Sequence, residues 1–345
     1  MILMDNPVRL KLVAILVLFL SLAACGGKFQ AYPTQVVQSG SITKEPVAPP
    51  QIPTDPSHPA VPATPPVALK FCSPLSFENI HWDPNMNLNS QRAFAIGLSI
   101  SGGFEGGEGW SNLSNNFDGM GMSAGLLNQT LGTESLQPLL EQITLDHRIE
   151  VASVLTADHL QSLISMLNAW NPSVHIQDFH VSEIQTASVV NSSVQWAVDN
   201  LYQANGNFHP DWKQQLQSLL STSDFINLQV DAALKYHLKA MRYLQRIRYK
   251  DLRAYLLMLD IIIQNGSISE SRFQEWESKI AQDGITDEVT SLKALVEIRL
   301  QDTKPQWRGD VRSRKYSLID GVGNVHGQNW NLPKSFCYGL SDPAQ

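Results

Sequence analysis

Several motifs that mark common enzyme classes are missing from this sequence of 345 residues. Its nine histidines form no H-E-x-x-H pair and no comparable metal-binding spacing. There is no G-x-S-x-G nucleophile motif, and neither Cys72 nor Cys337 lies in a sequence typical of a catalytic thiol. The sequence therefore argues against these kinds of metallopeptidase, serine hydrolase and cysteine protease, and we expect neither a metal ion nor a cofactor.

Positive charge is also scarce. The chain has 25 Lys and Arg residues against 32 Asp and Glu residues, a net charge of −7. A protein that binds nucleic acid normally presents a basic surface, so we expect no nucleic-acid partner. An acidic cleft would suit a cationic substrate, although net charge does not show where the charge lies.

The N-terminal region predicts export. Residues 1–24 combine a short basic region with the apolar run "LVAILVLFLSLAA", as a signal peptide does. The run ends in "LAAC" at Cys25, which resembles a bacterial lipobox and implies that Cys25 is lipidated. Gly26 then favours the outer membrane, so we expect a lipid-anchored protein of the periplasm or outer membrane. An ordinary secretory signal with a chance cysteine is the alternative.

Residues 25–69 are rich in proline, as in "KEPVAPPQIPTDPSHPAVPATPPVALK". Such a segment cannot bury enough apolar surface to fold, and proline favours extended polyproline II. At ~3.1 Å per residue it could reach on the order of 130 Å. We interpret it as a tether between the membrane and a domain formed by residues 70–345.

Cys72 and Cys337 lie near the two ends of that domain. Because an exported compartment permits disulfides, we expect these two cysteines to pair, with two unpaired buried thiols as the alternative. We expect one folded domain, since no second Pro-rich linker interrupts residues 70–345, and we expect it to be monomeric.

Hydrophobic periodicity predicts a fold that is α+β but mostly α. Helices are predicted at residues 89–101, 156–170 and 223–268. The last of these should break near Tyr249, and its second part should be a central buried helix because it is apolar on nearly all sides. Residues 313–330 alternate and contain Gly and Asn, which favours a short hairpin with loops.

Three carboxylates lie in the glycine-rich stretch "SGGFEGGEGWSNLSNNFDGMGMSAG" of residues 101–125. Asp118-Gly119 is a turn dipeptide, so the second half of the stretch predicts a small β-hairpin. Glu105 follows a predicted helix directly. A helix end and a hairpin that meet in this way would place one carboxyl group on each wall of a cleft.

A pair of this kind suits cleavage of a glycosidic bond. One carboxylic acid gives its proton to the leaving oxygen, and an ionised partner activates water or stabilises the transition state. Glu105, beside Phe104 and at a helix C-terminus, is expected to hold its proton, and Asp118, among backbone amides, is expected to stay ionised. Solvated turn residues without chemistry are the alternative.

The stretch "AIGLSISGGFEGGEGWSNLSNNFDGMGMSAGLL" resembles the catalytic segment of the chitosanase branch of the lysozyme superfamily. The resemblance implies a lysozyme-like two-lobed fold with a small catalytic β-hairpin, with Glu105 as the general acid and Asp118 as the base. It also implies that the Ser123 hydroxyl positions the attacking water. The family's D-G-x-G-x-[ST]-x-G pattern falls on Asp118, Gly119, Gly121, Ser123 and Gly125.

Two downstream segments add to the resemblance. "RAYLLMLDIIIQNG" is similar to the family's central helix, with Asp260 at the position of its buried aspartate, and residues 311–327 resemble the closing segment of lysozyme-like wall hydrolases. Arg312 and His326 of that segment are cleft candidates, with surface and turn roles as the alternative. Asp260 could instead bond only to core groups.

The chain also departs from the family pattern. Glu105 and Asp118 are only 13 positions apart, which shortens the hairpin arm and leaves an inverting or a retaining outcome open. Glu108 is a rival for the role of the acid.

These observations predict an exported glycoside hydrolase that cleaves peptidoglycan or a related amino-sugar polymer. Because the chain is acidic and resembles chitosanases, it is expected to prefer deacetylated, glucosamine-containing glycan. Two alternatives stay open: a lytic transglycosylase, and a non-catalytic lipoprotein that binds the cell wall.

Overall fold

The computed structural model describes residues 70–174, residue 176 and residues 193–345. Most of these residues are helical, and the strands form two small antiparallel sheets. The expectation of an α+β fold that is mostly α is confirmed at this level. The predicted signal peptide, Cys25 and the Pro-rich segment lie outside the described residues. Within the described ranges, every helix is too short or too polar to cross a bilayer.

The elements are numbered in chain order. The helices are α1 (Leu88–Glu105), α2 (Gln137–Asp146), α3 (Arg148–Val154), α4 (Ala157–Trp170), α5 (Ser193–Leu201), α6 (Pro210–Leu220), α7 (Ser223–Ile247), α8 (Leu252–Asn265), α9 (Glu270–Gln282), α10 (Glu288–Leu300), α11 (Arg308–Asp320) and α12 (Leu332–Phe336). The strands are β1 (Leu113–Ser114), β2 (Ser123–Ala124), β3 (Gln129–Thr130), β4 (Val322–Val325) and β5 (Gln328–Asn331).

Helix α1 is longer than the sequence predicts. It does not stop at Gly102–Gly103 but continues to Glu105. A Cβ atom on Gly102 would lie 2.1 Å from the Cδ1 atom of Leu126. The missing side chain therefore lets Leu126 pack against the helix, so the glycine at this position serves a close contact and does not mark a helix end.

The predicted break near Tyr249 is confirmed, because α7 ends at Ile247 and α8 begins at Leu252. The expected central helix is α8, of which ten residues are buried. Helix α1 packs closely on it, since a Cβ atom on Gly97 would lie 2.3 Å from the Cδ2 atom of Leu259.

The expectation of a hairpin over residues 313–330 is wrong for its first half. Helix α11 occupies that half, and the hairpin consists only of β4 and β5. In α11 the charged residues Arg314 and Lys315 are themselves buried. The helix therefore has no apolar stripe of the kind that identifies an amphipathic helix in a sequence.

The described residues pack into two hydrophobic clusters. The larger one, here the major core, surrounds α8 with α1, α10, α11 and most of α7. The smaller one, here the minor core, contains residues of α2, α4, α5, α6 and β2. Helix α7 joins them, because Phe225 in its first turn belongs to the minor core and Val230 already belongs to the major core.

A hairpin is found where the Asp118-Gly119 dipeptide predicts one. Strands β1 and β2 pair in antiparallel fashion, with Ser114 opposite Ser123, and β3 adds a third strand with Thr130 opposite Ser123. The β1–β2 connection carries Asp118. The β2–β3 connection carries Asn128, whose φ of 49° is one that asparagine tolerates better than most residues.

The predicted disulfide between Cys72 and Cys337 is present, with the two Cα atoms 5.1 Å apart. The amide of Cys72 also donates to the carbonyl of Phe336 at 3.0 Å. The bridge joins positions separated by 265 residues, so it ties the first described segment to the C-terminal one.

We predict that removal of this bridge in a Cys72→Ser/Cys337→Ser variant lowers the free energy of unfolding by about 2–5 kcal/mol, because the unfolded chain gains conformational freedom. Urea denaturation of the oxidised wild type and of the variant measures the difference. Dithiothreitol should destabilise the wild type but leave the variant unchanged. Equal stability of the two proteins would contradict the prediction.

Candidate active site

Glu105 is the last residue of α1, and its side chain is 27% exposed. One carboxylate oxygen, Oε1, accepts from Arg314 Nη1 at 2.6 Å. The other, Oε2, is 3.5 Å from the side-chain nitrogen of Asn128, a long contact. One oxygen is thus held firmly, and the other is held only weakly.

Arg314 joins Glu105 to Asp260. Its side chain is 1% exposed, and its guanidinium group makes hydrogen bonds to both carboxylate oxygens of Asp260, the shortest at 2.6 Å from Nη2. The guanidinium carbon also lies 4.9 Å from the centroid of the Phe104 ring. Such a fork geometry on a carboxylate, with a ring beneath, fixes the orientation of the arginine.

Lys315 completes the buried cluster. Its ammonium group contacts the Asp260 carboxylate and donates to Gln264 Oε1 at 2.7 Å. The cluster of Glu105, Asp260, Arg314 and Lys315 therefore contains two acidic and two basic side chains. Opposite charges in equal number allow charges to persist where water is largely absent.

Burial acts on the pKa values of these groups, and the neighbouring charges modify its effect. Burial alone would raise the pKa of Asp260, but Arg314 and Lys315 outweigh it and hold that pKa well below its usual range. Burial lowers the pKa of Lys315 to about 8, against the opposing effect of Asp260. Asp260 is thus the ionised centre of the cluster, and Lys315 is the cation of the cluster that loses its proton more readily than Arg314.

Asp118 lies in the loop between β1 and β2, at the end of a short 3₁₀ turn. Its Oδ1 atom accepts from the amide of Met120 at 3.0 Å, and Gly119 supplies the left-handed backbone, with φ of 79°, that this turn needs. Tyr202 contacts this loop, since its hydroxyl group donates to the carbonyl of Gly121 at 2.5 Å. Burial and the charge of Asp118 both raise the pKa of that hydroxyl group. The carboxylate of Asp118 is thus oriented by its own loop.

Ser123 is buried in the middle strand of the three-stranded sheet. Residues directly opposite one another in antiparallel strands share a face. Ser114, Ser123 and Thr130 therefore place three hydroxyl groups on one face of the sheet.

The hairpin is tied to both hydrophobic cores by Gln229 of α7. Its side chain accepts from the amide of Leu126 at 2.8 Å and donates to the carbonyls of Trp110 and Leu220. A Cβ atom on Gly125 would lie 2.4 Å from Gln229 Oε1, so the close contact needs glycine there. This buried amide links the loop after α1, the hairpin and the end of α6.

The other candidate residues lie apart from the buried cluster. Glu108 is exposed and accepts from Gln217 of α6 at 2.8 Å. Arg312 forms a two-pronged ion pair with Glu297 at 2.7 and 2.8 Å. Arg312 and Arg314 are about 200° apart around the helix axis, which explains why they point to different surroundings.

His326 lies nearer to the candidate acid. Its Nδ1 atom is 3.2 Å from the carbonyl oxygen of Phe104, the residue before Glu105, and its Nε2 atom is 3.4 Å from Asp310. It contacts the backbone that carries Glu105 and not the carboxylate itself.

No pattern in the sequence identifies Arg314, Lys315, Asn128 or Gln229 as site residues. One signal could have pointed to the two cations: an aspartate on an almost wholly apolar helix needs a buried partner. Which cation fills that role depends on a contact between residues 54 positions apart. The sequence pattern does not reveal such a contact.

The described residues form one surface pocket beside the hairpin and another on α6. One, of about 480 Å³, is lined by the β1–β2 loop and the segment around Tyr202, and it includes Phe117, whose side chain is 59% exposed. The other, of about 510 Å³, is lined by α6, including Lys213 and Gln217, which also contact Glu108. In the first of these pockets, the ring of Phe117, the residue before Asp118, is exposed beside the side-chain amides of Asn115 and Asn116.

Comparison of the chain with protein-family models, with curated proteins and with solved structures gave no significant match.

The buried cluster gives a prediction for stability. Asp260→Asn removes the carboxylate that Arg314 and Lys315 share, which leaves two buried cations in proximity, and should cost about 3–5 kcal/mol of unfolding free energy. Arg312 lies on α11 like Arg314, and Glu297→Gln removes its partner on α10. Because that pair is exposed, the cost should be about 1 kcal/mol or less.

Urea denaturation of both variants at neutral pH measures these costs, and circular dichroism shows whether each variant is folded. Equal losses for the two variants would contradict the distinction between a buried and an exposed ion pair on α11.

Proposed function

We propose that this chain is a glycoside hydrolase of lysozyme-like, two-lobed architecture that cleaves the glycan strands of peptidoglycan. The observation that carries the proposal is the setting of Glu105, a partly exposed carboxylate at a helix end that is oriented from behind by a buried arginine. Asp118 supplies a second carboxylate from the adjacent hairpin. The major and minor cores, joined by α7, are consistent with two lobes.

In the proposed mechanism Glu105 is the general acid. Arg314 binds Oε1, so Oε2 is the oxygen that carries the proton to the glycosidic oxygen. Asp260 lies between Arg314 and Lys315 and offsets part of their positive charge. The role proposed for the arginine is that of a fixed hydrogen-bond donor that orients the carboxyl group of Glu105.

Asp118 is the proposed base. One of its oxygens accepts from the amide of Met120, which orients the carboxylate and stabilises its charge. It takes a proton from the attacking water as the bond to the leaving sugar breaks. Ser123, on the middle strand of the same small sheet, is proposed to position that water.

The proposed substrate follows from the N-terminal region and from charge. A tethered, exported domain would be within reach of peptidoglycan. A sugar with a free 2-amino group is cationic and suits a chain with a net charge of −7. We therefore propose deacetylated, glucosamine-containing strands as the preferred substrate.

The central prediction concerns Glu105 and its rival Glu108. Glu105→Gln keeps the size of the side chain but removes the transferable proton, so it should lower the rate of cleavage by about 10²-fold or more. Glu108→Gln is the matched control, because Glu108 is exposed and bonds to Gln217, and its rate should stay within about threefold of wild type.

The measurement is digestion of native and of deacetylated peptidoglycan by the full chain and both variants, with mass spectrometry of the products. Hydrolysis predicts muropeptides with reducing ends, formed faster from the deacetylated polymer. Anhydro-ended products would instead identify a lytic transglycosylase. No cleavage of either polymer, together with binding to it, would identify a wall-binding lipoprotein and contradict the proposal.

Phe117 gives a further prediction. An aromatic ring that is 59% exposed, next to Asp118 and to the amides of Asn115 and Asn116, is suited to stack on a sugar face. Phe117→Ala should raise KM for soluble deacetylated glycan fragments about five- to tenfold, with kcat within twofold of wild type. Leu88→Ala is the control, because Leu88 is also exposed and lies at the end of α1 remote from Glu105. It should change neither KM nor kcat. An unchanged KM for Phe117→Ala would exclude this role.

A further inference from the structure

Three side chains of the type that binds metal ions meet where the corner between α2 and α3 faces the first turn of α7. They are His147, Glu150 and Asp224, and their nearest ligand atoms all lie within 4.8 Å of one another. The Nδ1 atom of His147 is 2.6 Å from Oδ2 of Asp224. None of the three is among the residues assigned to glycan cleavage.

One atom of this cluster has an unfavourable environment. Oε2 of Glu150 is buried and has no hydrogen-bond partner within the described part of the chain. A second carboxylate, that of Asp224, lies within the same 4.8 Å. A buried carboxylate oxygen without a donor, next to another negative group, raises the free energy of the fold. A bound cation would satisfy both carboxylates.

We propose that His147, Glu150 and Asp224 form a binding site for a divalent transition-metal ion of the Zn²⁺ type. One imidazole nitrogen with two carboxylates is a donor set that zinc accepts, and the imidazole favours transition metals over Mg²⁺ and Ca²⁺. A water molecule would take the fourth position.

The spacing of the cluster fits this ion. Tetrahedral bonds of about 2.1 Å keep ligand atoms about 3.4 Å apart, between the 2.6 Å contact of His147 with Asp224 and the 4.8 Å limit of the cluster. These two side chains are 39% and 35% exposed, so a small rotation brings them to ligand distance.

The sequence predicts no metal site because it contains no complete ligand motif. Here two ligands lie three residues apart at the start of α3, and the third is on α7, far along the chain. An ion bound by all three would fasten the α2–α3 corner to the long helix that joins the two cores. This role does not depend on the proposed glycosidase activity.

The test uses the full chain without a histidine tag, treated with a chelator and titrated with ZnCl₂ by isothermal calorimetry. We expect one equivalent to bind with a dissociation constant in the micromolar range or below, and thermal unfolding to shift to higher temperature. His147→Ala should weaken binding at least tenfold. His159→Ala is the matched control, since His159 also faces a carboxylate, Asp211, at 3.6 Å, and it should bind zinc as the wild type does.

A second variant covers the case in which His147→Ala does not fold. Glu150→Gln keeps the shape of the side chain and removes one negative charge. Without metal it should be as stable as the wild type or more stable, yet it should bind zinc at least tenfold more weakly. A wild type that binds no zinc at 1 mM, or a folded His147→Ala or Glu150→Gln variant that binds as tightly as wild type, would overturn the proposal.

Discussion

The buried ion pair between Arg314 and Asp260 is the interaction on which the major core and the candidate site both depend. Asp260 lies on the most deeply buried helix, and an ionised carboxylate there is stable only with a partner. Arg314 is that partner, and the same guanidinium group reaches the surface at Glu105. Helix packing in the core thereby sets the position of a carboxylate at the protein surface.

The hairpin depends on a second buried group, the side-chain amide of Gln229. This amide holds the chain before β1 and after β2, so the ends of these two strands that lie away from the Asp118 loop are fixed to α7. Strands of two residues would not hold such a loop in place alone. Glu105 and Asp118 are thus positioned by separate sets of contacts. The buried arginine holds Glu105, whereas Asp118 is oriented by its own loop, which Tyr202 contacts at Gly121.

Local patterns predict much of this fold and less of the site. The central helix α8, the break before it and the hairpin at Asp118 have short-range signals, and the structure has each of them. The disulfide has no such signal and is expected because two cysteines remain in a domain predicted to be exported. The sequence does not reveal which cation would reach Asp260, because buried arginine and lysine look like surface residues in a pattern of hydrophobicity. Arg312 was a cleft candidate, but it lies on another face of α11, and only the helix geometry distinguishes it from Arg314. The predicted helix ends at residue 101, whereas α1 continues through Gly102, whose missing side chain makes room for Leu126.

The central claim is that Glu105 and Asp118 together hydrolyse a glycosidic bond, with Glu105 as the acid and Asp118 as the base that activates water. Digestion of deacetylated peptidoglycan in water enriched in ¹⁸O, followed by mass spectrometry of the fragments, tests it most directly. The account predicts one ¹⁸O atom at each new reducing end. Fragments without the label and with anhydro ends, or no new ends at all, would contradict it.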